Sequence, residues 1–139
     1  YNLVVNLFTS FGYFETLSAH ASVLDRIHSC LKRGGHFILD YLNTAHLNID
    51  EEQHELSVDG IDFTFFKRRH QDKIVKRILV DDRDKILEFH EEIMAFSEAQ
   101  LRGLLVKAGF EIDGCFGSYD MDAYEADRSD RIIFYARKV

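Results

Sequence analysis

The chain has 139 residues, a formal net charge of −7 and 46% hydrophobic residues, among them 12 Phe and 6 Tyr. That length favours one domain, and a chain of about 150 residues buries roughly 68–70% of its unfolded surface, so a core is available and disorder is excluded. The acidic balance without a long basic stripe argues against nucleic acid as a partner, and no apolar segment nears the ~20 residues that span a bilayer, nor is there a signal-peptide pattern, so no membrane partner is expected.

Leu3 to Phe8 is almost wholly apolar, the texture of a strand buried on both faces in a parallel sheet. Thr9, Ser10 and Gly12 then break it with turn-compatible residues. From Leu17 to Lys32, the residues Val23, Leu24, Ile27 and Leu31 repeat at helical spacing, and Gly34-Gly35 supplies the stop. A second apolar run, His36 to Leu42, follows at once. Strand, helix and strand at this spacing predict a βαβ unit with a right-handed crossover. Ligands of open α/β sheets bind outside the carboxyl ends of the strands, so Asn6–Phe14 and Asp40–Asn43 should share one rim.

Ala45 to Gln53 reads as a connecting loop, whose acidic run Asp50-Glu51-Glu52 fits either a lid over that rim or a solvated turn. The texture then changes. Asp59-Gly60 is a hairpin signal, Ile61, Phe63 and Phe65 alternate with polar residues, and further strands are expected at 74–80 and 86–96. Residues 54–96 should therefore form an antiparallel β meander inserted into the domain. Its basic residues Lys67, Arg68, Arg69, Lys76 and Arg77 can face Glu88, Glu91 and Glu92 across strands, where such pairs set register. Ser97 and Gln100 spell a capping box before Leu101, Leu104, Leu105 and Ala108. Strands at 110–118 and 132–139, joined by a polar loop, complete the chain.

Cys30 and Cys115 are far apart and fall in a helix and a strand, as buried free thiols in a cytoplasmic protein would. The seven His are scattered with no HxH or HExxH spacing, so no metal site is expected. No GxSxG elbow or Cys-His pair suggests a covalent nucleophile.

Three stretches taken in order are familiar: Asn6-Leu7-Phe8-Thr9-Ser10-Phe11-Gly12-Tyr13-Phe14, Leu31-Lys32-Arg33-Gly34-Gly35 and Leu39-Asp40-Tyr41-Leu42-Asn43. With Gly109-Phe110 and Ser129-Asp130-Arg131-Ile132-Ile133, the chain resembles the second half of a class I S-adenosylmethionine-dependent methyltransferase. Arg33 and Asp130 depart from that pattern, standing where the family usually has Pro. The resemblance implies an α/β fold: a partial Rossmann-like sheet of the last four strands, the final strand antiparallel between the second and third, with the meander as a separate sheet.

It also implies S-adenosylmethionine as cofactor, held near Asn6, Leu7, Phe8, Gly12 and Tyr13, and a small-molecule acceptor near Phe11, Asp40, Tyr41, Asn43, Tyr119 and Arg131. For several of these a structural reading stands beside the functional one. Phe8 and Phe14 read first as core rings, whereas Phe11 and Tyr13 fit core or cofactor equally. Asp40 and Asn43 can instead cap the following loop. Arg131 reads first as a partner of Asp127 or Asp130, and Tyr124 is a second loop aromatic. The family's glycine-rich loop and ribose-binding acid have no counterpart here. The chain is thus expected to be a C-terminal, acceptor-side portion that binds the cofactor weakly by itself and is inactive alone. Its opening strand would be a bare apolar edge, which predicts a homodimer through that strand. The competing readings are a non-catalytic binding or oligomerisation module derived from the fold, and a small ligand-binding protein with an accidental likeness.

Overall fold

The computed structural model describes residues 1–46, 52–83 and 85–139. It divides into two compact units, one built from residues 1–46 and 96–139 and the other from residues 47–95.

The first unit contains β1 (Leu3–Asn6), α1 (Leu17–Cys30), β2 (His36–Leu42) and a 3-10 turn at Thr44–His46. Its second half supplies α2 (Glu98–Lys107), β7 (Phe110–Phe116) and β8 (Arg131–Lys138). The sheet order is β1-β2-β8-β7. β1 runs parallel to β2, and β8 is antiparallel to both β2 and β7, between them, as expected. Alternation along the two central strands puts Phe37, Leu39 and Tyr41 of β2 and Ile132, Phe134 and Ala136 of β8 wholly out of water. Leu24 of α1 and Leu101 and Leu105 of α2 are buried as fully. Burying each such aliphatic side chain stabilises by roughly 1.5–3 kcal/mol. Aromatic contacts tie the layers: His28 of α1 meets Phe110 edge-on, and Phe110 meets Phe37.

Both helices start as their sequences dictate. The Thr16 side chain accepts from the Ala19 amide to cap α1, and Ser97 with Gln100 forms the complete capping box of α2. α1 ends two residues before the expected limit, because Leu31 is already extended (ψ 144°).

The second unit is an antiparallel sheet, order β3-β4-β5-β6, from β3 (Glu52–Val58), β4 (Ile61–His70), β5 (Lys73–Asp82) and β6 (Lys85–Met94). Asp59 (φ 53°) and Gly60 (φ 80°) make the first hairpin turn in the left-handed conformation that this dipeptide favours. Lys73 meets Glu92 at 2.8 Å and Lys76 meets Glu91 at 3.6 Å across β5 and β6. Asp50 and Glu51 of the acidic run lie outside the described residues, and Glu52 opens β3.

Several expectations need correction. β1 stops at Asn6 rather than Phe8, because Phe8 (φ 56°) and Thr9 (φ 61°) adopt left-handed backbone that no strand can continue. Phe8 and Phe14 are not core rings; they are 76% and 46% exposed. Cys30 is a free but exposed thiol on the last turn of α1, and Cys115 is free and half-buried. Burial pushes the Cys115 thiol up to about 11. No helix among the described residues is long and apolar enough to cross a membrane.

Candidate functional site

The rim at the carboxyl ends of β1 and β2 is built around one carboxylate. Asp40, the fifth residue of β2, is wholly buried. Its Oδ2 accepts from the Phe8 amide at 2.7 Å and from the Tyr119 hydroxyl at 3.0 Å. Its Oδ1 accepts from Arg131 Nε at 2.8 Å and from Nη2 at 2.6 Å. A carboxylate offers about four lone-pair sites. All four of Asp40 are therefore filled by donors of this chain, from the β1 loop, the loop after β7 and the first residue of β8. A buried carboxylate held like this positions its neighbours and has no site left to take a proton from a substrate.

Thr9 is the second half of the clamp. Its amide donates to the Asp40 carbonyl at 3.1 Å, while its Oγ1 accepts from the Leu42 amide at 3.0 Å and from Arg131 Nη2 at 3.1 Å. A β-branched residue at positive φ costs free energy, and the surrounding bonds hold it there. Ser10 closes the turn by donating its amide to the Leu7 carbonyl at 3.2 Å. Phe8 is thereby turned outward on a fixed backbone. Thr9 was not among the expected site residues; a hydroxyl just past the first apolar run and an acid within the second were the signal available.

Asn43 fastens the other side. Its Nδ2 donates to the carbonyls of Ala126 (2.9 Å) and Ser129 (2.7 Å), and its Oδ1 accepts from the Ala45 amide and the Tyr124 hydroxyl, both at 3.2 Å. It thus holds the loop before β8, consistent with the capping role weighed beside a substrate role. Tyr41 is wholly buried, and burial pushes its phenol far up, so it stays protonated. Gly12, at φ +105°, lies so close that an added Cβ would meet the Tyr41 hydroxyl at 2.5 Å. Burial also raises Tyr119 and Tyr124, with the hydrogen bond to Asp40 adding to the effect at Tyr119. Both phenols are therefore donors at neutral pH.

Phe11 is buried against His20 (ring centroids 5.0 Å) and Phe96 (6.0 Å), so of its two readings the structure takes the core one. Tyr13 is 52% exposed, on the rim side with Phe8 and Phe14. Arg131 pairs with Asp40 and not with Asp127 or Asp130. At the end of β1, Asn6 keeps its Oδ1 buried without a hydrogen-bond partner. Leu7 follows, partly exposed. The rim thus brings together Asn6, Leu7, Phe8, Gly12, Tyr13, Asp40, Asn43, Tyr119 and Arg131, while Phe11 and Tyr41 point into the core beneath. Among the described residues, no group of three or more His, Cys, Asp or Glu is placed to hold a metal ion.

No family model matches the sequence, and no curated protein matches it. Solved structures do. An S-adenosylmethionine-dependent methyltransferase from Clostridium acetobutylicum ATCC 824 superposes with a TM-score of 0.85 at 17% identity, over 99% of this chain and 58% of that one. The methyltransferase CcbJ from Streptomyces caelestis gives 0.84 at 16% identity, over 100% of this chain and 61% of that one. CalS10, an S-adenosylmethionine-bound amino pentose methyltransferase from Micromonospora echinaspora, gives 0.72 at 18% identity, over 100% and 58%. The chain spans about six-tenths of the length of these neighbours. At such low identity the likeness speaks for architecture: over nearly its whole length, this chain has the fold of part of an S-adenosylmethionine-dependent methyltransferase.

Proposed function

We propose that this chain is the acceptor-side portion of a class I S-adenosylmethionine-dependent methyltransferase, a single domain with the meander as an insertion, acting on a small-molecule acceptor in the cytoplasm. The observation that carries the reading is the rim, where a clamp of Asp40, Thr9 and Arg131 fixes the β1 loop. The structural neighbours support the chemistry, since CalS10 is an amino pentose methyltransferase. The two free thiols fit a reducing compartment.

The residues present suit the cofactor. Asn6 Oδ1 is a buried acceptor without a donor, at the strand end where the motif puts the cofactor. Leaving such an atom unpaired costs about 1–3 kcal/mol, which a ligand N–H or O–H would recover. The outward rings of Phe8 and Tyr13 offer faces to a cationic centre, a contact of about 0.5–2 kcal/mol. Gly12 lets the backbone lie against Tyr41 without a side chain in the way. Bound S-adenosylmethionine would supply a methyl group on a sulfonium for in-line transfer to a nucleophilic atom. The chain's own task is alignment and exclusion of water, which supplies effective concentration. Tyr119, 61% exposed and tethered through its hydroxyl, is the residue best placed to touch the acceptor, with Arg131 beneath it.

The test is binding of S-adenosylhomocysteine and radiolabelled methyl transfer by the protein that carries this sequence. Asn6→Ala should weaken cofactor binding about tenfold, the worth of one hydrogen bond to a charged donor. Transfer activity that survives Asn6→Ala and Tyr119→Phe unchanged would refute this placement of the site.

A second observation favours assembly. Leu3 and Val5 of the edge strand are 51% and 48% exposed, beside an apolar groove lined by Val4, Val23, Ile27 and Cys30. Bare edges pair with other chains, so for these 139 residues taken by themselves a homodimer through β1 is proposed. Sedimentation equilibrium should show a dimer that Val5→Lys disrupts; a monomer at high micromolar concentration would refute it.

A further inference from the structure

The meander carries a set of cationic side chains that the rim does not use. Phe66 and Arg68 share one face of β4, Val75 and Arg77 the same face of β5, and Glu88, His90 and Glu92 that of β6. Register puts Arg77 opposite both Phe66 and His90, and Arg68 opposite Val75. Arg68, Val75, Arg77 and His90 line a concavity of 240 Å³. The Arg77 guanidinium lies 4.2 Å above the Phe66 ring, which holds its fork in one orientation.

Of the acids on this face, Asp62 and Asp81 lie opposite each other at its far end, four positions from Phe66 and Arg77. Glu55, Glu88 and Glu92 are engaged by side chains other than the two arginines, Glu88 by His90 of the concavity itself. Glu88 meets His90 Nε2 at 2.9 Å, Glu92 meets Lys73 Nζ at 2.8 Å, and Glu55 accepts from the Gln53 amide at 2.9 Å. Among the described residues, no carboxylate pairs with Arg68 or Arg77. Elsewhere Arg102, Arg128, Arg131 and Arg137 each pair with one.

We propose that Arg68 and Arg77 bind a phosphate group of a small-molecule phosphate ester in this concavity, with Val75 as its floor and His90 closing the third side. Guanidinium forks match phosphate oxygens bidentately, and the stacked Arg77 loses little freedom on binding. The site lies wholly within the meander and does not depend on the methyltransferase reading.

The experiment titrates inorganic pyrophosphate and phosphate into the 139-residue chain at constant ionic strength, followed by calorimetry and by ³¹P line broadening. Pyrophosphate should bind saturably, and more tightly than acetate. Arg68→Gln and Arg77→Gln should each weaken it about tenfold, and the double variant should abolish it, whereas Arg33→Gln, elsewhere on the surface, should leave it unchanged. Should Arg77→Gln perturb the sheet by losing its stacking, Arg77→Lys keeps the charge without the fork and should still weaken binding with an unchanged circular-dichroism spectrum. Absence of saturable binding at millimolar pyrophosphate, or a folded double variant that binds like the parent chain, would overturn the proposal. Acetate binding as tightly as pyrophosphate would overturn the assignment to phosphate.

Discussion

The two sheets reach order by different routes. In the β1-β2-β8-β7 sheet the central pair joins strands far apart in sequence, with His36 opposite Arg137 and Leu42 opposite Arg131. Its inward side chains are wholly buried, and its rim is closed by a buried ion pair. In the meander each strand pairs with its neighbour in the chain. β3 is exposed along its whole length and β6 along most of it. The first sheet is held by burial and by a few expensive polar contacts. The second is held by turns and by many small cross-strand contributions. Single substitutions should therefore cost much more in the first than in the second.

The largest effect is expected at Asp40. Asp40→Ala leaves the Arg131 guanidinium, half-buried, without its counter-charge, and frees the Phe8 amide and Tyr119 hydroxyl. Breaking a buried pair in this way costs about 3 kcal/mol, read as a fall in the urea midpoint. A loss within about 0.5 kcal/mol, the range of ordinary surface substitutions, would show that the clamp is no stronger than a surface pair.

Next comes Gly12→Ala. The left-handed φ of +105° and the approach to the Tyr41 hydroxyl together should cost about 2 kcal/mol. Tyr41→Phe in the same chain removes the colliding oxygen and should recover part of the loss. Strict additivity of the two changes would show that they do not meet.

In the meander, Gly60→Ala tests the turn. At φ 80° the added Cβ meets only the Arg83 side chain at 3.8 Å, so the cost is conformational alone, about 1 kcal/mol. The smallest effect is expected at Lys76→Gln. Its pair with Glu91 at 3.6 Å is solvent-exposed and should contribute no more than about 0.5 kcal/mol, fading with added salt. Were Lys76→Gln to cost as much as Asp40→Ala, the contrast between the two sheets would fail.

The same contrast explains what could be read early. Asp59-Gly60 announced its hairpin and Ser97 with Gln100 its helix start, because each signal acts within four residues and the chemistry is complete locally. The apolar run from His36 to Leu42 announced β2 for the same reason, though not that Tyr41 lies wholly buried. The rim was legible only as a location. That Asn6 to Phe14 and Asp40 to Asn43 lie together follows from strand direction; which ring faces inward does not. Phe8, Phe11 and Phe14 are alike in composition, and the clamp on Thr9 sorts them, turning Phe8 out while Phe11 packs on His20 and Phe96.

By itself, then, the sequence determined the order of strands and helices, the turns and caps, and the likeness to methyltransferases carried by short motifs. These rest on periodicity, on capping side chains and on residues that tolerate positive φ, all short-range properties. Tertiary structure alone decided that Arg131 should take Asp40 rather than the nearer Asp127 or Asp130, across 91 positions. Asp40 is wholly buried and already fixed by the Phe8 amide, so pairing it satisfies a carboxylate that has no water, whereas an acid exposed to solvent gains little from the same cation.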